Sequence, residues 1–127
     1  MSNVKRKVYI AGAHSRGRTL RAYLEYLYPD LEVEAFLVDD MSENAEIVDE
    51  LPVQLIRRGL QTEYPVYLGM RGVNHEKVAK ELRDVGMKEI IPVTVELDME
   101  LRNAYVRSYA ENRGRTFCVI DELSAGE

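Results

Sequence analysis

The sequence is poor in the residues that mark several common protein classes. It has one cysteine, Cys118, no tryptophan and two histidines among 127 residues. A single cysteine excludes a disulfide framework and the paired spacings of zinc sites. Its apolar neighbours predict that Cys118 is a small buried hydrophobic residue. We therefore expect a protein of the reducing cytoplasm.

Long hydrophobic runs and an excess of basic residues are also missing. No apolar run approaches the roughly 20 residues of a transmembrane helix. The apolar run near the N-terminus stops at Gly12, too early for a signal peptide. The formal net charge is −5, whereas proteins that bind nucleic acid usually carry a basic face. We therefore predict neither membrane insertion nor nucleic-acid binding.

Familiar catalytic motifs are absent as well. The chain has no G-x-S-x-G elbow, no H-E-x-x-H, no Walker lysine and no paired C-x-x-C. The acidic pair Asp39–Asp40 follows the second predicted strand, whereas a receiver domain needs such a pair after the first. The pair also lacks the spacer of a metal-binding Asp-x-Asp. His14 is the better of the two histidines as a general base, but no partner for it is visible. We predict no catalytic residue, no metal site and no group transfer by this domain alone.

The sequence does contain alternating signals for strands and helices. Hydrophobic residues make up 46% and charged residues 31% of the chain, as in one globular domain over residues 1–127. The predicted strands are 4–11, 31–38, 52–56, 65–70, 88–95 and 116–120, and the predicted helices are 17–28, 75–85 and 98–112. Asn74 and Asp98 are the predicted N-caps, and Pro92 indicates an edge or a strand end. The alternation predicts a three-layer, doubly wound α/β fold with a mostly parallel, Rossmann-like sheet of about five strands.

A glycine-flanked turn joins the first predicted strand to the first helix. Gly12 ends the strand and Gly17 opens the helix, which leaves backbone N–H groups free for an anion such as phosphate. Arg16 and Arg18 oppose the helix dipole there, and an anionic ligand would remove that conflict; alternatively, both arginines are simply solvated. His14 replaces the middle glycine of the dinucleotide fingerprint G-x-G-x-x-G, which disfavours NAD in its usual pose.

Two other segments are expected beside this turn. Asp39–Asp40 ends the second strand, where an acidic residue accepts hydrogen bonds from a ribose; the alternative is a solvated strand end. Gly69-Met70-Arg71 follows the third core strand. Ligands of doubly wound sheets bind beyond the carboxyl ends of the strands, so we expect all three segments to meet at one rim.

The order of these motifs resembles the small Rossmann-like N-terminal domain of bacterial sugar O-acyltransferases. It is also similar to domains that precede glycosyltransferase or methyltransferase modules in polysaccharide biosynthesis. The matching segments are 9–17, 37–40, 51–53, 66–69 with Arg71, 82–86 and 89–91, within residues 4–95. The resemblance implies a nucleotide-sugar site, for example for a UDP-sugar. It implies these site residues: Gly12, His14, Ser15, Arg16, Gly17, Asp39, Asp40, Gly69 and Arg71.

Two departures from that family shape the functional expectation. Ser15 stands where the family turn usually has a glycine, and no hexapeptide repeats follow. Segments 101–105 and 117–121 instead look like the junction to a glycosyltransferase domain. We therefore expect a nucleotide-binding module at the front of a larger transferase, with a catalytic domain following it. One alternative is a structural or dimerisation module with a vestigial site, and another is an NAD- or CoA-binding redox or regulatory domain.

Overall fold

A computed structural model describes residues 5–42 and 44–112 of this chain. The predicted strand 116–120, with Cys118, lies outside the described residues. The strands are β1 (Arg6–Ala11), β2 (Leu31–Val38), β3 (Ile47–Val48), β4 (Leu51–Leu55), β5 (Val66–Leu68) and β6 (Ile90–Pro92). The helices are α1 (Ser15–Leu27), α2 (His75–Asp84) and α3 (Val95–Asn112), and a 3-10 turn (Gly72–Asn74) precedes α2.

The described strands form one six-stranded sheet in the order β3-β4-β2-β1-β5-β6. All neighbouring pairs are parallel except β3 and β4, which form an antiparallel hairpin. The chain first moves outward from β1 through β2 to β4, and then returns to the other side of β1 for β5 and β6. The predicted mostly parallel α/β sheet is confirmed. The carboxyl ends of five strands therefore share one rim.

Hydrophobic side chains form two separate clusters in the core. One combines α1 and α3 with the sheet, through Leu20, Leu24 and Leu101. The other combines α2 with the sheet, through Val78 and Leu82. Residues 8–11 of β1 and residues 35–38 of β2 alternate between the two clusters, as strand geometry requires. The result is a sheet that packs apolar side chains against helices in both clusters.

The pairing of β1 with β2 contains one irregularity. Val8 pairs with Val33 and Tyr9 pairs with Ala35, so Glu34 is an extra residue in β2. The shift places Val33 and Phe36 in one cluster and Ala35 and Leu37 in the other. A bulge of this kind re-aims the side chains that follow it. It lets the last four residues of β2 be buried just before the polar pair at its end.

Several predicted boundaries agree with the structure and others are wrong. The prediction of 31–38 as a strand is confirmed by β2. The segment predicted as a loop or helical turn, 41–50, contains the short strand β3. The cap predicted at Asp98 is wrong, because α3 begins at Val95 and the Thr94 hydroxyl accepts a hydrogen bond from the Leu97 N–H at 3.1 Å.

Two smaller predictions concern the ends of β6 and α2. Pro92 is the last residue of β6, which is the edge strand of the described sheet, as predicted. Asn74 is the residue before α2, but its side chain makes no capping hydrogen bond. Within the described residues, no helix is both long and apolar enough to span a membrane.

Candidate functional site

The turn between β1 and α1 is built on contacts between backbones that leave no room for side chains. Gly12 has a φ of +106°, and a Cβ atom there would lie 2.8 Å from the carbonyl oxygen of Gly69. A Cβ atom on Gly17 would overlap the carbonyl oxygen of Gly12. Glycine is therefore required for the close approach of β1, α1 and the end of β5. We call Gly12, Gly17 and Gly69 together the glycine ridge.

One cleft at this rim, which we call the β2 cleft, has a volume of about 570 Å³. It lies beside the glycine ridge, among the ends of β1, β2 and β4 and the first turns of α2. It contains four of the predicted site residues, Gly12, His14, Asp39 and Asp40. The other residues that line it are Ala13, Leu37, Val38, Asn44, Ile56, Met70, Asn74, Lys77, Val78 and Glu81. Residues from all three segments predicted to meet at one rim therefore line this cleft, the third segment through Met70.

The two aspartates of this cleft have different partners. The Asp39 carboxylate accepts a hydrogen bond from the Lys77 ammonium at 3.0 Å, and this bond raises the pKa of Lys77. Asp40 accepts a hydrogen bond from the Ser42 backbone N–H at 2.8 Å. That bond, with the Ser42 hydroxyl, lowers the pKa of Asp40. Asn44 donates to the Asp40 carbonyl at 2.7 Å, which fixes the loop after β2.

The start of α1 has the features of an anion site but no anionic side chain. His14 is the N-cap residue without a side-chain cap, and the first turn contains no acidic residue. Arg16 is exposed, and no ion pair is found for it among the described residues. Arg18, by contrast, donates to both carboxylate oxygens of Asp49, at 2.9 and 3.1 Å. Of the two arginines considered for phosphate, only Arg16 therefore retains an unengaged charge.

A second cleft of about 630 Å³, which we call the β6 cleft, lies on the far side of the glycine ridge. It includes Arg16 and Gly69 from the predicted site, together with His75 and Thr94. The His75 Nε2 lies 3.0 Å from the Met70 carbonyl oxygen. A carbonyl only accepts, so Nε2 carries the proton in this bond. Met70 lines both clefts, which places them side by side along the rim.

The remaining predicted residues do not line either cleft. Ser15 is the first residue of α1, Gly17 is buried in the glycine ridge, and Arg71 is exposed before the 3-10 turn. Several other polar lining residues were not among the predicted site residues, for example Asn44, Lys77, Glu81 and Thr94. Lys77 and Glu81 carry a weak signal, because they lie four residues apart on the helix that follows the predicted Gly69–Arg71 segment.

No group of three or more His, Cys, Asp or Glu side chains within residues 5–42 and 44–112 is arranged to hold a metal ion. No family model, curated protein or solved structure matches the chain.

Proposed function

We propose that this chain is a nucleotide-binding domain that holds a nucleoside diphosphate or nucleotide-sugar across the rim of a Rossmann-like, doubly wound sheet. One observation carries the proposal: Gly12 and His14 line the same cleft as Asp39 and Asp40, although the two pairs come from different strand ends. The order in which strands are added to the sheet reverses at β1. Ligands of doubly wound sheets bind at such a reversal. The two core clusters, with helices in each, support the three-layer arrangement.

The charges along the rim favour one orientation of the ligand. The uncapped N-terminus of α1 offers backbone N–H groups and a positive dipole end to phosphate oxygens. Arg16 supplies a cation there. The β2 cleft, with Asp39 and Asp40, offers carboxylate oxygens to ribose hydroxyls. The nucleoside therefore occupies the β2 cleft, and the phosphates lie over the glycine ridge.

The β6 cleft provides space for a group attached to the second phosphate. It adjoins the glycine ridge through Gly69 and contains polar side chains from Arg16, His75 and Thr94. A sugar presents hydroxyl groups that such side chains bind. Together with the resemblance to domains of polysaccharide biosynthesis, this cleft supports a role in holding a nucleotide-sugar donor for a glycosyltransferase. The domain itself contributes binding and no chemistry.

Thermal unfolding with a panel of ligands tests this function. The panel contains UDP, CDP, ADP, UDP-sugars, NAD and CoA. A ligand at about 100 times its Kd adds roughly 2.7 kcal/mol to the free energy of unfolding. We expect nucleoside diphosphates to stabilise the protein. This stabilisation should be smaller in the variants Arg16→Ala and Asp39→Ala. Arg58→Ala is the matched control, because Arg58 is exposed and lines neither cleft. Stabilisation by NAD or CoA alone, or by none of the panel, would refute the proposal.

A second candidate function is an interaction module, favoured by one specific surface. The rings of Tyr23, Tyr26, Tyr105 and Tyr109 contact one another between α1 and α3, with centroids 5.0–6.1 Å apart. Tyr109 remains 40% exposed. Tyrosine is enriched at protein interfaces. Sedimentation equilibrium tests this alternative: a dimer that Tyr109→Ser weakens, in a protein that no nucleotide stabilises, would favour it.

A further inference from the structure

One ion pair joins two walls of the β2 cleft. The Lys77 ammonium, from the first turn of α2, donates to the Asp39 Oδ2 at 3.0 Å, and Asp39 directly follows β2. Both residues line the cleft. Of the ion pairs found within residues 5–42 and 44–112, this is the only one with both members in the wall of the β2 cleft. The pair therefore links α2 to the end of β2 at the proposed nucleoside site.

Buried neighbours fix the backbone positions from which this pair is formed. Val78, next to Lys77, is 7% exposed and packs in the core cluster of α2. Leu37 and Val38, which precede Asp39, are 0% and 7% exposed. Core packing therefore holds the backbone at both ends of the pair. The charged side chains themselves stay accessible, with 69% of Lys77 and 33% of Asp39 exposed, so a ligand can reach the carboxylate.

The two neighbouring carboxylates differ in what they leave for a ligand. The Asp40 Oδ1 accepts a hydrogen bond from the Ser42 backbone N–H at 2.8 Å, and the Ser42 hydroxyl also bonds to this carboxylate. These bonds tie Asp40 to its own loop. Asp39, in contrast, is bonded through Oδ2, and no hydrogen bond is found for its Oδ1 among the described residues. The Asp39 Oδ1 is therefore the oxygen that remains for a ligand.

The bond from Lys77 limits the orientations that the Asp39 carboxylate adopts. Ordering a mobile side chain on binding costs free energy, and a side chain that is already held avoids that cost. A carboxylate accepts hydrogen bonds, and the ribose hydroxyls are groups that donate them. Exposed ion pairs add little stability, so the effect of this pair should appear in binding rather than in folding.

We propose that Lys77 is a positioning residue for the ribose of the bound nucleotide. It holds the Asp39 Oδ2, so that the Asp39 Oδ1 accepts a hydrogen bond from a ribose hydroxyl, whereas the Asp40 carboxylate holds the loop. This inference rests on the proposed nucleotide function and narrows its substrate class to nucleotides with free ribose hydroxyls. A 2′,3′-dideoxy nucleotide offers no such donor and would leave the Asp39 Oδ1 without a partner.

Calorimetric titration of the full chain with matched nucleotides tests this inference. ADP, CDP and UDP are each compared with their 2′,3′-dideoxy forms. A hydrogen bond to a charged group corresponds to a preference of roughly 10-fold to 150-fold. We expect at least one of the three nucleotides to bind about tenfold or more tightly than its dideoxy form. Lys77→Met should reduce this preference, and Lys77→Arg, which keeps a cation, should retain most of it.

Matched variants separate positioning from other effects of a lost charge. Lys80→Met removes a lysine of the same helix that pairs with Asp84 and lines neither cleft, so it should leave the preference unchanged. Asp39→Asn should reduce the preference, because a neutral acceptor forms the weaker hydrogen bond. Asp40→Asn keeps the acceptor for the Ser42 N–H and should not reduce it. The melting temperatures of the lysine variants should stay within about 4 °C of the parent.

The outcomes separate this inference from the function on which it rests. Loss of the preference in Lys77→Met, with Lys77→Arg and Lys80→Met similar to the parent, supports it. Equal affinity for the ribose and dideoxy forms, or a preference that Lys77→Met leaves unchanged, overturns the positioning role and leaves the nucleotide function intact. Binding of none of the three nucleotides overturns both.

Discussion

Gly17 lies so close to the carbonyl oxygen of Gly12 that no side chain fits between them. This contact fixes how α1 leaves β1, and therefore where the first helical turn faces. Gly69 packs on the other side, since a Cβ atom there would lie 3.0 Å from the Gly17 Cα. The position of the candidate phosphate site thus depends on backbone contacts among three glycines.

Gly17→Ala is expected to destabilise the fold strongly. Alanine has the better helix propensity, by up to about 1 kcal/mol. The clash with the Gly12 carbonyl must nevertheless move α1 away from β1, and overpacking of this kind costs about 1–3 kcal/mol or more. We therefore expect a net loss of at least about 1 kcal/mol in the free energy of unfolding, measured by urea denaturation.

The control for this variant is Gly72→Ala. A Cβ atom on Gly72 meets nothing within 4 Å. Its stability should stay within about 0.5 kcal/mol of the parent, as for most surface changes. Equal stability of Gly17→Ala and the parent would contradict the close packing of β1 against α1.

The Thr94 hydroxyl is expected to stabilise the start of α3. Its oxygen accepts the Leu97 N–H, one of the groups that have no partner within a helix. Thr94→Ala should therefore lower the free energy of unfolding by about 1 kcal/mol, whereas Thr94→Ser, which keeps the oxygen, should lose much less. If both variants lose the same stability in thermal denaturation, the hydroxyl is not the cap.

The ion pair between Arg18 and Asp49 should appear in the titration of the carboxylate. The hydrogen bond from Arg18 lowers the pKa of Asp49 below its usual value. A lowered pKa in the folded chain adds stability above the unfolded-state pKa, and this contribution disappears as the pH falls through the folded-state value. Stability should therefore decrease below about pH 4, and Arg18→Gln should weaken this dependence.

Carboxyl carbon chemical shifts provide the direct measurement of that pKa. Arg18→Gln should return the Asp49 midpoint toward its usual value. Asp40 is the internal control, because its pKa is lowered by Ser42 and not by Arg18. An Asp49 midpoint that does not change in Arg18→Gln would show that the two side chains are not paired in solution.

Much of the sheet was predictable because burial in a parallel strand leaves a continuous apolar run. The run that ends at Val38 identified β2 with correct bounds. The hairpin of β3 and β4 was harder to predict, because its turn residues Asp49 and Glu50 adopt φ values of 50° and 69° without glycine. Asp49 is held there by two arginines of α1, since Arg21 also donates to its carbonyl oxygen at 2.7 Å. Such long-range support has no local pattern in the sequence.

The candidate site was predictable only in the part that follows strand ends. Asp39 and Gly12 could be placed at one rim because parallel strands share it. Asn44 comes from a loop, and Lys77 and Glu81 come from a helix, where polar residues are ordinary. Only the packing of α2 against the sheet brings Lys77 to within 3.0 Å of Asp39. A local sequence pattern does not predict that distance.

Chemical-shift mapping of a bound nucleotide tests the central claim most directly. The isotopically labelled domain is titrated with the nucleoside diphosphate that stabilises it most, and the backbone amide signals are followed. We predict that the largest changes fall at residues 12–17 and at Asp39 and Asp40, where the phosphates and the ribose are expected to bind. Changes confined to the surface of α1 and α3 around Tyr26 and Tyr109 would contradict a nucleotide site at this rim. The absence of any saturable change would contradict it as well.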